Sequence, residues 1–276
     1  MSIISLENLL GDNGEFTQYR NENPECPLRH PTRCCLIGGS GSGKTTVLAN
    51  LILNPKLRMT YDKIHIFAKY IDCDDYRNII SHLEDIQDEM SERIYEKSMA
   101  QWEKKGKNAG QPQPRKVQYK ILEHATSSLD DLPPLDSLDA DCQHLVIFDD
   151  FVFSSADDRI RQYFIASRKK NCSVFFLSQK LTSVRLNSSV FCYFGTPSGT
   201  EVSILHRDSA CLLDKDAFTS LFRKVTSKPH GFLCIYANQP ADMTYRDGFD
   251  EFIPTSKVPE IAQQIASMEK KRIMKK

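Results

Sequence analysis

Apolar residues along this chain fall into short continuous runs, separated by stretches where they recur every third or fourth position. The runs are Cys34-Cys35-Leu36-Ile37, Lys63-Ile64-His65-Ile66-Phe67-Ala68, His144-Leu145-Val146-Ile147-Phe148-Asp149-Asp150, Ser173-Val174-Phe175-Phe176-Leu177-Ser178-Gln179, Val190-Phe191-Cys192-Tyr193-Phe194-Gly195 and Gly231-Phe232-Leu233-Cys234-Ile235-Tyr236. Continuous runs of this length predict strands buried on both faces. Between them lie helical patterns. One follows Lys44, one covers residues 74–105 with Ile79, Leu83, Ile86 and Met90 in step, and one covers 157–170 with Ile160, Tyr163, Phe164 and Ser167 on one face. Two more are expected at about 199–207 and 214–225. Val117-Gln118-Tyr119-Lys120-Ile121-Leu122 reads as a further short strand. The alternation predicts an α/β protein, a mostly parallel central sheet with helices on both faces.

Polar and proline-rich stretches mark the boundaries. Residues 1–32, with Pro24, Pro27 and Pro31, read as an extended lead-in. Asn54-Pro55 ends the first helix, because the residue before a proline is pushed out of helical geometry. Residues 106–114 read as a loop, and 126–143, rich in Asp, Ser and Pro, as a surface connection. One domain over 33–240 is expected, with an insertion at about 74–143. A C-terminal extension over 241–276 ends in the basic Glu269-Lys270-Lys271-Arg272-Ile273-Met274-Lys275-Lys276.

Composition narrows the class. The 276 residues are 40 % hydrophobic and 26 % charged, enough for one elaborated domain. Net charge is +0, so any nucleic-acid contact must be a local patch. The nine cysteines include no C-x-x-C pair, and Cys34, Cys35, Cys172, Cys192 and Cys234 sit inside apolar runs. They read as reduced core cysteines rather than zinc ligands or disulfides. No apolar run of about 18 residues predicts a membrane span, and the N-terminus has no signal-peptide layout. A protein that is not secreted is expected.

The chemistry concentrates at the ends of three predicted strands. Gly38-Gly39-Ser40-Gly41-Ser42-Gly43-Lys44-Thr45-Thr46 follows the first strand and opens the first helix, with the G-x-x-x-x-G-K-[ST] spacing of a P-loop. Its glycines let successive N–H groups turn toward a polyphosphate, and the helix start adds its positive dipole end. Lys44 is expected on the β- and γ-phosphates and the Thr45 hydroxyl on Mg²⁺. The run ending in Asp149-Asp150 has the form of a Walker-B strand. Ligands in such sheets lie at the carboxyl ends of strands. Asp149 is expected to hold Mg²⁺ through water, and Asp150 to polarise the attacking water. Gln179 ends a neighbouring run, where an amide can orient water or meet the γ-phosphate.

Taken in order, these pieces resemble the genome-packaging ATPases of poxviruses and their relatives among large DNA viruses, virophages and polinton-like elements. These belong to the FtsK–HerA branch of P-loop ATPases. The resemblance rests on Ile37 to Thr46, on Leu145 to Asp150, on Ser167-Arg168-Lys169-Lys170-Asn171-Cys172 leading into the strand that ends Ser178-Gln179, and on Val184-Arg185-Leu186-Asn187. It covers roughly residues 33–240. It implies a hexameric or pentameric ring of identical subunits that uses ATP and Mg²⁺ to drive double-stranded DNA into a capsid. Capsid or portal-vertex proteins would be partners, and the setting would be the virion or the cytoplasmic replication site. It further implies that Arg168 acts in trans on the neighbouring subunit's ATP, with Arg185 the second candidate. Asp150 departs from the glutamate common in the cellular branch; being shorter, it leaves part of the water-positioning role to Gln179.

Other classes fit less well. A small-molecule kinase needs an arginine-rich lid, and a GTPase needs Asn-Lys-x-Asp; neither stretch is present. A DNA translocase or helicase of the same branch, and a nucleotide-gated virion assembly protein, stay open as alternatives.

Overall fold

The computed structural model describes residues 26–54, 61–106, 110, 112–151, 158–179, 187–196, 198–208, 212–237, 239–261 and 263. Nine strands form one sheet: β1 Arg33–Ile37, β2 Lys63–Ala68, β3 Leu122–Thr126, β4 His144–Asp149, β5 Cys172–Ser178, β6 Val190–Phe194, β7 Phe232–Tyr236, β8 Tyr245–Asp247 and β9 Phe252–Ile253. Their order is β3-β2-β4-β5-β1-β6-β7-β8-β9. The pairs from β3 to β6 are parallel, and those from β6 to β9 antiparallel. The mostly parallel α/β sheet expected from the runs is therefore present. Two short strands follow the one read as last.

Alternate residues of each strand feed opposite cores, as the two-residue period requires. Cys34, Leu36, Leu145, Ile147, Phe175 and Leu177 face one cluster, which helix α1 Lys44–Leu53 and helix α2 Asp74–Gln101 cover with Leu48, Leu51, Ile52, Tyr76, Ile79 and Leu83. Cys35, Ile37, Val146, Phe148, Val174 and Phe176 face the other. Helices α3 Asp158–Ala166, α4 Gly199–Asp208 and α5 Lys215–Val225 cover that side. Ile160, Tyr163, Phe164 and Ser167 are all buried, as the period predicted. Asp214 caps α5 by accepting from the amides of Asp216 and Ala217. The described cysteines are free, and five of those in the apolar runs are buried.

Two expectations are corrected between β2 and β4. Residues 117–121 form no strand; β3 starts at Leu122 and runs to Thr126. The reason lies in α2, whose buried stripe turns from Ile79 and Leu83 to Gln87 and Ser91 rather than Ile86 and Met90. Gln87 Oε1 accepts from the amides of Ile121 and Leu122, and Ser91 Oγ from that of Tyr119. Helix side chains thus take the backbone donors that a strand neighbour would take. The connection over 126–143 is not wholly surface either: Leu129, Leu132 and Leu138 enter the core from short 3₁₀ turns. Among the described residues no helix is long and apolar enough to cross a membrane.

Three histidines cross the sheet in a row. His144 Nε2 lies 2.9 Å from the Asp139 carbonyl, His65 Nε2 3.3 Å from His144 Nδ1, and His65 Nδ1 2.9 Å from His124 Nδ1. A carbonyl only accepts, so His144 Nε2 carries the proton and its Nδ1 accepts from His65 Nε2–H. His65 Nδ1 then accepts from His124 Nδ1–H, so His144 and His65 are each held as neutral rings by an accepting nitrogen. Burial, reinforced by His144 and His124, pulls the His65 pKa down to about 3. Because the unfolded chain binds the proton first, stability present near neutral pH falls as pH drops below the ordinary histidine range toward 3. Urea midpoints measured from pH 7 to 4 should fall, and less steeply for His65→Phe. Equal slopes in the two proteins would refute this account.

Candidate active site

The loop after β1 is shaped by its glycines. Gly41 and Gly43 have φ of +71° and +104°, where a side chain would be strained. A Cβ on Gly38 would meet Phe194 Cβ at 2.6 Å. The Gly38 amide donates to the Ser178 carbonyl at 3.1 Å, tying the loop to the end of β5. Helix α1 begins at Lys44 with no side-chain cap on its first turn. Its leading N–H groups and its dipole are therefore available to an anion.

Lys44 Nζ donates to the carbonyls of Gly38 and Gly39, at 2.8 and 3.0 Å. Burial lowers its pKa, while Asp149 and Asp150 draw it back up. Ser42 Oγ is buried inside the loop with no hydrogen-bond partner.

The two carboxylates come from β4, two strands away from β1, with β5 between them. Asp149 Oδ2 accepts from the Tyr76 hydroxyl at 2.7 Å. Burial raises the Asp149 pKa, opposed by the Tyr76 hydrogen bond and the Lys44 charge. Asp150 has φ of +57°, and its amide donates to the Leu177 carbonyl at 3.1 Å. Aspartate tolerates this left-handed geometry better than most residues, so it is suited to the turn that ends β4.

One cavity of about 400 Å³ gathers Ser40, Gly41, Ser42, Gly43, Lys44, Thr45, Thr46, Asp149, Asp150 and Gln179. Gly38 and Gly39 adjoin it through Lys44. A cradle of amides, a lysine, a hydroxyl and two carboxylates can hold a polyphosphate with a hard divalent cation.

Arg168 is not there. It lies on the 3₁₀ turn Ser167–Lys170 before β5, whereas Gln179 follows the end of β5. Seven extended residues set the two apart by roughly 20 Å. Arg185 lies outside the described residues, as does the basic tail.

Tyr70, Tyr76, Asp75 and His230 line the cavity without having been read from the sequence. Tyr70 had a signal, an aromatic just beyond the carboxyl end of β2, the strand that pairs with β4; Tyr76 sits in the first turn of α2. His230 had none: it reaches the loop from 187 residues beyond Gly43. It adopts φ of +58° and places Nδ1 3.3 Å from the Ser42 carbonyl.

The family described as Poxvirus A32 protein matches residues 23–196, more than half of the chain. None of the curated proteins matches it in sequence. Among solved structures it is similar to the genome packaging NTPase B204 from Sulfolobus turreted icosahedral virus 2 in complex with AMP. That match has 13 % identity over 81 % of this chain and 97 % of that one, with a TM-score of 0.45. The same NTPase with ATP-gammaS matches at 12 % identity over 81 % and 98 %, TM-score 0.39. With AMPPCP it matches at 12 % over 81 % and 98 %, TM-score 0.43.

Proposed function

Since this chain belongs to the poxvirus A32 protein family and is a viral genome-packaging ATPase, we propose that it hydrolyses ATP with Mg²⁺ to drive double-stranded DNA into a preformed capsid, as a ring of identical subunits. The observation that carries the reading is the convergence of the Lys44 loop, Asp149-Asp150 and Gln179, from three strand ends, on one cavity. The buried Ser42 Oγ without a partner and the uncapped start of α1 fit a phosphate there. Thr45 and Asp149 are oxygen donors of the kind Mg²⁺ selects, and the cation would neutralise charge on the phosphates.

The chain's own residues divide the remaining work. Lys44 and the first-turn amides of α1 hold the β- and γ-phosphates. Tyr76 fixes one Asp149 oxygen and aims the other. Asp150 orients the attacking water and accepts its proton, and Gln179 supplies an amide beside it. Arg168 serves the neighbouring subunit, since the length of β5 separates it from its own loop. Arg185 is the second candidate for that role. Capsid or portal-vertex proteins are the expected partners, and the virion or the infected-cell cytoplasm the expected setting. Family membership favours packaging over the translocase, helicase and assembly-protein alternatives.

Turnover of ATP should rise on adding double-stranded DNA, whose affinity should fall steeply with salt as phosphate contacts release counterions. An affinity flat from low to physiological salt would sink the backbone-tracking part. Asp150→Asn should still bind ATP while hydrolysis falls about 10²-fold or more. Normal hydrolysis by Asp150→Asn, with a dead Gln179→Ala, would exchange their roles.

A further inference from the structure

The hydrolytic groups occupy one side of the nucleotide cavity. In the strand order β4-β5-β1-β6-β7, Asp149 ends β4, Asp150 follows it, and Gln179 follows β5, so all three stand on the β5 side of the loop after β1. On the other side lie β6, parallel to β1, and β7, which is antiparallel to β6 and so begins where β1 and β6 end. His230, two residues before β7, reaches the same cavity from that opposite flank. Its imidazole is exposed.

An uncommon turn holds it there. Lys228-Pro229-His230-Gly231 closes with the Gly231 amide donating to the Lys228 carbonyl at 3.0 Å, and His230 has φ of +58°. Proline second and a positive φ third are the marks of a type II turn, whose third position favours glycine or asparagine. A histidine in that position is strained, and such strain persists where the surroundings impose it and collects at ligand sites. Here the surroundings impose it. Lys228 Nζ donates to Asp247 Oδ2 of β8 at 2.9 Å, and a Cβ on Gly231 would meet the Val225 carbonyl at 2.4 Å. Gly43 makes room for the ring, since a Cβ there would lie 3.3 Å from His230 Cβ. The Ser42 carbonyl, 3.3 Å from His230 Nδ1, only accepts, so Nδ1 carries the proton and fixes the ring beside the loop.

The two flanks fix which way a triphosphate lies. Its γ end must meet Asp150 and Gln179, so its phosphates cross the loop and its nucleoside leaves on the flank of β6 and β7. We propose that His230 is the nucleoside contact of this site, its imidazole ring stacking on the base of the bound nucleotide. Stacking on an aromatic ring is a contact that a bare polyphosphate cannot make. The loop and Lys44 thus hold phosphates of any origin, and His230 adds affinity only for those that carry a base. The direction of the triphosphate rests on the ATPase reading above; the strained turn beside the loop does not.

The test is calorimetric titration of the full chain with AMPPCP and with inorganic tripolyphosphate, which has the phosphates and no nucleoside. His230→Gly, which suits the turn, should weaken AMPPCP binding about tenfold, the scale of losing one base–aromatic stack. Its binding of tripolyphosphate should match the wild type, which also reports that the variant is folded. His230→Asn, which tolerates a positive φ but has no ring, should behave in the same way. Wild-type AMPPCP binding by both variants overturns the proposal and leaves the ATPase reading standing. So does an equal loss for tripolyphosphate, which would make His230 a support of the loop. Tyr70 lines the cavity on the carboxylate flank, just after β2. If Tyr70→Ala loses AMPPCP affinity and the His230 variants do not, the nucleotide lies the other way round and the proposal fails. Lys44→Ala should weaken both ligands; if it weakens neither, the phosphate site is refuted and this contact with it.

Discussion

A Lys44→Ala protein should fold as the wild type does, bind ATP roughly tenfold to a hundredfold more weakly, and show no measurable hydrolysis. The fold survives because, among the described residues, Lys44 Nζ is bonded only to two loop carbonyls, Gly38 and Gly39, the second of them at an exposed position. Water can replace it at both. Binding weakens because the lysine is the one ammonium among the described residues that line a cavity also holding Asp149 and Asp150. Without it, a polyphosphate entering the loop would meet two carboxylates uncompensated. Titration with a fluorescent ATP analogue and a phosphate-release assay measure the two effects, and circular dichroism measures the fold. A folded Lys44→Ala protein with ordinary turnover would remove this cavity as the site.

The second large effect is at Arg168. Arg168→Lys keeps the charge, yet hydrolysis by the assembled protein should fall by about 10³-fold or more, the scale of arginines that act in trans on phosphoryl transfer. Lysine cannot reproduce a planar group that bridges two phosphate oxygens. ATP binding by dilute protein should hardly change, because Arg168 is roughly 20 Å from its own loop across β5. Mixing separates this from a structural role. Arg168→Ala and Lys44→Ala subunits, each inactive alone, should regain partial turnover together. Some contacts then pair an intact loop with an intact arginine. If mixed assemblies form and recover nothing at any ratio, Arg168 is structural, and Arg185 is to be tested in the same way.

The strand runs and the loop at 38–46 were legible because each is dictated by local rules. Buried parallel strands need continuous apolar residues, and a phosphate loop needs glycine where φ is positive. What escaped was set by distant contacts. Residues 117–121 have strand-like alternation, but Gln87 and Ser91 of α2 hold the amides at this point, and a polar stripe on a helix leaves no hydrophobic period to read. The strands β8 and β9 have three and two residues, too short for any period. The carboxylates and Gln179 were found because they end apolar runs. Tyr76 and His230 were not, since their roles arise only when the start of α2 and the segment before β7 are brought to the loop.

The sheet's two borders limit how copies can meet. One border is β9, only two residues long and followed by Pro254, which has no amide to offer. The other is β3, five residues with a register irregularity against β2. Neither presents a long flat row of unpaired amides and carbonyls, so one copy cannot extend its sheet sideways into the next. In a sheet of nine strands, that disfavours edge-to-edge aggregation. Any contact between copies would then be made by side chains, from the helical faces or the strand ends, rather than by extending the sheet.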